Sequence, residues 1–103
     1  MKKLKQNQNK MLDKLEDIFK VLADVTRIQI ILALAEQSRS VNALVEIVGT
    51  SQSNVSHQLR LLKNKNLVIA ERKGKKIYYS VTCQHLVNTL DNLLAHIGHE
   101  GKD

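Results

Sequence analysis

Proline and tryptophan are absent from this chain, cysteine occurs once, and Phe19, Tyr78 and Tyr79 are its whole aromatic content. A single cysteine excludes an intrachain disulfide and fits a reducing, cytoplasmic compartment. So few aromatics leave Leu, Ile and Val to pack the interior, and helices are the expected elements. No stretch approaches the roughly 18 apolar residues of a membrane span. The basic start, MKKLKQNQNK, has no apolar run behind it and is not expected to be a signal peptide. There is no internal repeat and no linker. What remains is 103 residues, 43% of them apolar, enough for one small domain that is marginal as a monomer.

The charge is localised. The chain carries a formal net charge of +6. Arg60, Lys63, Lys65, Arg72, Lys73, Lys75 and Lys76 fall between residues 60 and 76 against Glu71 alone, and this excess equals the whole net charge. A neutral body with one basic edge is the footprint of a protein that meets phosphate. An anionic membrane would instead favour a basic amphipathic helix with apolar anchors beside the charge, and no membrane partner is expected.

Along the chain, Met11, Leu12, Leu15, Ile18, Phe19 and Leu22 recur at helical spacing over about 10–22. Asp24 can cap a second helix running through Ile28, Ile31, Leu32 and Ala35 to about Gln37. Ser40 can cap a third over Val41 to Val48, ended by Gly49. Thr50 or Ser51 starts a fourth of about four turns, SQSNVSHQLRLLKNKN. Two strands, LVIAER and KIYYSV, are joined through Lys73, Gly74 and Lys75, and Thr82 can cap a final helix. The order is α-α-α-α-β-β-α, mainly helical with a β-hairpin. Residues 1–9 are expected to form a flexible arm, 10–99 the folded domain and 100–103 a tail.

The third and fourth helices, separated only by a short turn, have the form of a helix-turn-helix. Val55, Leu59 and Leu62 should face the core, which leaves Gln52, Ser53, Ser56, His57 and Arg60 on the opposite side. Short and amide side chains can approach base edges closely; Gln suits adenine, and Arg suits guanine or phosphate. The hairpin tip, with Arg72, Lys73, Lys75 and Lys76, reads as a wing against the phosphate backbone. A solvated charged turn is the alternative for the tip, and a packed histidine the alternative for His57. The expected partner is double-stranded DNA.

The last helix carries Cys83, His85, His96 and His99. His85 and His96 on one helix are about 16 Å apart along its axis, too far to share an ion whose ligands lie about 2.0–2.3 Å away. An antiparallel second copy brings 85 opposite 96 and 83 opposite 99, with the two-fold axis near Leu90 and Asp91. The spacing therefore implies a homodimer with two equivalent metal sites, each built from Cys83 and His85 of one chain with His96 and His99 of the other. The competing reading is a solvated helix face with an inert cysteine.

The segments VLADVTRIQIILAL, TSQSNVSHQLRLLKNKNLV and ERKGKKIYYSV resemble the ArsR/SmtB family of winged-helix metalloregulatory repressors, over about residues 10 to 99. SQSNVSHQL is similar to its zinc- and cobalt-sensing branch. The resemblance implies a winged helix-turn-helix that dimerises through its first and last helices. It also implies that the apo dimer holds a pseudo-palindromic operator near a metal-efflux or resistance gene and releases it when metal binds. His85, His96 and His99 match the branch's three histidines, while Cys83 stands where aspartate is usual. A thiolate is softer than a carboxylate, so Zn(II) is the first expectation, with Co(II), Cd(II) and Cu(I) as alternatives. The family's other common site is missing, because residues 40 to 49 contain no Cys or His. The rival readings are a redox or persulfide sensor acting through Cys83, and a metal-buffering module without DNA. An enzyme is not expected: there is no phosphate-binding glycine loop and no Ser/His/Asp arrangement, and a four-ligand site leaves no open position for substrate.

Overall fold

The computed structural model of the protein describes residues 6–100. Its elements are α1 (Gln6–Leu22), α2 (Val25–Glu36), β1 (Arg39–Ser40), α3 (Val41–Val48), α4 (Gln52–Asn64), β2 (Val68–Lys73), β3 (Lys76–Val81) and α5 (Gln84–Glu100). This is a winged helix-turn-helix. Helix α1 begins at Gln6 rather than near residue 10, so residues 6–9 of the expected arm are helical. The rest of that arm, and residues 101–103 of the expected tail, lie outside the described residues.

Caps set the helix boundaries. The Asp24 carboxylate accepts from the backbone N–H of Arg27 at 3.0 Å, Ser40 Oγ from that of Ala43 at 3.3 Å, and Ser51 Oγ from that of Asn54 at 3.1 Å. Each such cap is worth about 1 kcal/mol. Gly49 ends α3 in the left-handed region at φ 80°. Helix α4 ends two residues before the expected Asn66. Asn66 itself has φ 61°, its N–H donates to the Lys63 carbonyl, and the Leu67 N–H donates to the Leu62 carbonyl. That pair of bonds is a Schellman motif, and the buried Leu62 and Leu67 are its apolar partners.

Thr82 does not cap α5. Its hydroxyl donates instead to the carbonyls of Asn66 at 2.9 Å and Leu67 at 3.2 Å, and its own N–H donates to the Leu67 carbonyl. The start of α5 is thereby stapled to the corner that follows α4.

The core is built around α2. Ile30, Ile31 and Leu34 meet Leu44 of α3, Val55, Leu59 and Leu62 of α4, Val68 of β2 and Leu90 of α5. Of the apolar set expected on α2, Ile31 is buried, whereas Ile28, Leu32 and Ala35 are half-buried, and Ile30, Ala33 and Leu34 are buried in addition. A helix covered on several sides no longer obeys a single stripe.

A three-stranded antiparallel sheet has the order β1-β3-β2. Lys73 pairs with Lys76, so the hairpin loop is the two-residue Gly74-Lys75. Gly74 has φ 65° and Lys75 does not share the positive φ, which is the pattern of a type II′ turn. The unexpected β1 adds Arg39 opposite Tyr79 and Ser40 opposite Tyr78. Arg39 also closes the end of α2, donating to the Ala33 carbonyl at 2.8 Å and pairing with Glu36 at 2.7 Å. No helix among the described residues is long and apolar enough to cross a membrane.

Candidate nucleic-acid interface and metal-ligating residues

Burial fixes the rotation of α4. Val55, Leu59 and Leu62 are at most 1% exposed. At about 100° per residue, Ser53, Ser56, His57 and Arg60 then fall within a ~100° arc on the far side. Ser53, His57 and Arg60 are exposed and Ser56 is half-buried. Gln52, in the first turn, lines a cleft with Ser40, Asn42, Lys75, Lys76 and Ile77. The wing tip and the start of α4 therefore share one face. Arg72, Lys73, Lys75 and Lys76 are exposed, with Lys73 Nζ 5.7 Å above the Tyr78 ring. Lys65, counted with the basic stretch, lies apart, 3.8 Å from Asp17 of α1.

Two polar residues of α4 escaped the sequence reading. Gln58 and Asn54 sit on the shoulder between core and outer face. Gln58 Oε1 accepts from Arg27 Nε at 2.6 Å, Gln58 Nε2 donates to Asn54 Oδ1 at 3.1 Å, and Asn54 Nδ2 donates to Thr50 Oγ1 at 3.0 Å. Only the i, i+4 spacing of 54 and 58 was visible in the sequence, and it does not reveal a partner 31 positions away.

Cys83 and His85 lie together at the start of α5, with Sγ 4.0 Å from Nδ1 and both side chains exposed. Two donors on one tetrahedral ion are roughly 3.5 Å apart, so a small side-chain adjustment would let this pair share one. A thiolate with imidazoles is also the donor set that suits zinc and its softer neighbours. His96 and His99 are exposed near the far end of the helix. Helical spacing puts His85, His96 and His99 within an arc of about 60°, on the side of α5 opposite the buried Leu90. Among the described residues, no three His, Cys, Asp or Glu side chains gather around a common point.

An apolar surface is left uncovered. Helix α1 reaches the core mainly through its last turn, with Leu22 buried and Met11, Leu12, Leu15 and Phe19 exposed. On α5, Leu86, Val87 and Leu90 pack inward, while Leu93, Leu94 and Ile97 continue that stripe beyond the core and are exposed.

Comparison with known proteins places these features in a family. The profile described as "Bacterial regulatory protein, arsR family" matches residues 24–70, from the α2 cap into the first strand of the wing. A transcriptional repressor SmtB homolog of Synechocystis is 37% identical over 81 residues, which are 79% of this chain and 61% of that one, so the chain spans under two thirds of that relative. An arsenical resistance operon repressor of Bacillus subtilis is 32% identical over 90 residues, 86% of each chain. The homodimeric winged helix-turn-helix DNA-binding domain of a Mycobacterium bovis protein superposes with a TM-score of 0.80 at 29% identity, covering 96% of this chain and 95% of that one.

Proposed function

The chain belongs to the arsR family of bacterial regulatory proteins, and from that membership we propose that it is a metal-responsive repressor, a homodimer that holds operator DNA in its apo form and releases it when Zn(II) or a similar metal binds. The observation that carries the DNA half is the single face shared by the outer side of α4 and the basic wing. In a two-fold dimer each protomer would present one α4 to a major groove, on successive turns of a pseudo-palindromic site, through Gln52, Ser53, Ser56, His57 and Arg60. Arg72, Lys73, Lys75 and Lys76 of each wing would meet the flanking phosphates.

Cys83 and His85 of one protomer, with His96 and His99 of the other, are the residues that would hold the metal. A bound ion supplies a crosslink between the two final helices and so favours one dimer geometry over another. DNA and metal then oppose one another through one coupling free energy, felt equally by each. The names of the relatives, a repressor in one case and a resistance-operon repressor in the other, support the same reading.

Co(II) titration of the reduced protein tests the ligand set. Intense tetrahedral absorption with a thiolate charge-transfer band, saturating at one metal per chain, is the expected result. Tetrahedral bands lacking the charge-transfer feature would remove Cys83 from the set, and an absence of binding would remove the metal. In DNA-binding assays, His96→Ala is expected to keep operator affinity and to lose Zn(II)-induced release. Normal release by that variant would show the site to be elsewhere.

A further inference from the structure

Besides the apolar packing of α2 on α4, Arg27 joins the two helices by a side-chain hydrogen bond. It is half-buried at the first turn of α2, far in sequence from every residue assigned above to DNA or metal. Its guanidinium divides between two acceptors: Nη1 donates to the Val21 carbonyl at the end of α1 at 3.0 Å, and Nε donates to Gln58 Oε1 at 2.6 Å. Its backbone N–H is held by the Asp24 cap. From Gln58 the chain of bonds continues through Asn54 to Thr50, in the turn before α4. One planar, charged side chain thus ties the α1–α2 corner, the middle of α4 and the turn that precedes it.

The position of this tie on the helix matters. Taking the Val55, Leu59 and Leu62 stripe as the inward direction, Gln58 and Asn54 lie about 60° to 100° to one side, whereas Ser56, Arg60, Ser53 and His57 begin about 100° to the other. Apolar packing tolerates a small roll of α4, because dispersion and burial have little directionality. A short charge-assisted hydrogen bond on the shoulder does not, since such bonds depend steeply on distance and angle. A roll of ~20° moves side-chain tips on the outer face, about 6 Å from the helix axis, by about 2 Å, more than base-edge hydrogen bonds accept. Phosphate contacts made by long lysines of the wing are less sensitive.

We infer that Arg27, acting through Gln58, is a positioning residue that fixes the roll of α4 and thereby its discrimination among DNA sequences, without itself touching DNA. This deepens the DNA-binding reading above and rests on it.

The test uses the full chain. Wild-type protein first selects duplexes from a randomised pool, and affinity for the winning duplex is compared with that for a scrambled duplex of the same length over a salt series. Arg27→Ala and Gln58→Ala are each expected to lower the selected-to-scrambled affinity ratio about tenfold. The double variant should be no worse than the poorer single one. Affinity for the scrambled duplex and its salt slope should stay at wild-type values. An equal loss on both duplexes, with a salt slope smaller by about one, would make Arg27 a phosphate contact and overturn the proposal. Additive losses would overturn it too, by uncoupling Gln58 from Arg27. If Arg27→Ala does not fold, Gln58→Ala decides alone, and unchanged discrimination in a folded Gln58→Ala protein counts against the proposal. Wild-type protein that recovers no duplex, and binds none in a salt-dependent way, would instead bring down the DNA-binding reading and the positioning role with it.

Discussion

Asn66 is the one non-glycine residue with positive φ among the described residues. It stands where α4 turns into the wing and where Thr82 returns to anchor α5. Asparagine tolerates the left-handed region better than other residues with a Cβ, for which that conformation costs roughly 1–2 kcal/mol. Asn66→Ala is therefore expected to destabilise the protein by about 1 kcal/mol, and Asn66→Gly to leave it nearly unchanged. Urea unfolding at fixed protomer concentration checks both. The stop was half legible in the sequence: an asparagine after KNK is a known left-handed terminator, yet the polar run gave no reason to prefer residue 64 over 66 as the last helical position. The Arg27 tie was not legible at all, because no local pattern announces a hydrogen bond across 31 positions.

Among the elements, the caps and turns were the readable part. Asp24, Ser40, Ser51, Gly49 and Gly74 each sit where side-chain chemistry or backbone freedom requires them, and the helix order followed from these together with the apolar period. Strand β1 was invisible because two residues carry no alternation to detect; it exists because Arg39 and Ser40 happen to pass beside β3. Thr82 misled because a threonine before a helix looks like a cap, whereas here its hydroxyl serves a tertiary carbonyl pair. The wing's exposed tip makes a prediction at this scale. Replacing Lys75 and Lys76 together with alanine should reduce the slope of log affinity against log salt by roughly 2, at ~0.9 for each phosphate no longer neutralised. Stability should move by no more than about 0.5 kcal/mol, as for surface sites generally. Fluorescence anisotropy with labelled duplex and thermal unfolding give the two readings.

For the whole molecule, only a second copy of the chain would bring the two ends of α5 together. Within one chain the Cys83–His85 pair and the His96–His99 pair stand at opposite ends of the helix, and their proposed convergence in a dimer rests on symmetry. The exposed stripe of Leu93, Leu94 and Ile97, with the uncovered face of α1, supplies an apolar surface for such a partner. Ile97 is 60% exposed in the protomer, so Ile97→Asp should leave the protomer folded while opposing assembly. Sedimentation equilibrium is expected to shift from dimer to monomer. The tetrahedral Co(II) bands should weaken with it, although Cys83, His85, His96 and His99 are all retained. A monomer that kept full Co(II) binding would mean that the ligands come from one chain.

The small strand β1 has a mechanical consequence. By pairing with β3, it fastens the base of the wing to the link between α2 and α3, while the Thr82 bonds fasten the end of β3 to the corner after α4. Strand β3 is thus tied along one edge to the α2–α3 link and at its end to the corner that terminates α4, so the wing and α4 share one frame. Each protomer should turn as one body. In the proposed dimer, any signal that alters the reach of the pair along a double helix would have its soft coordinate at the seam between protomers, where a small angular change is multiplied by the length of the lever.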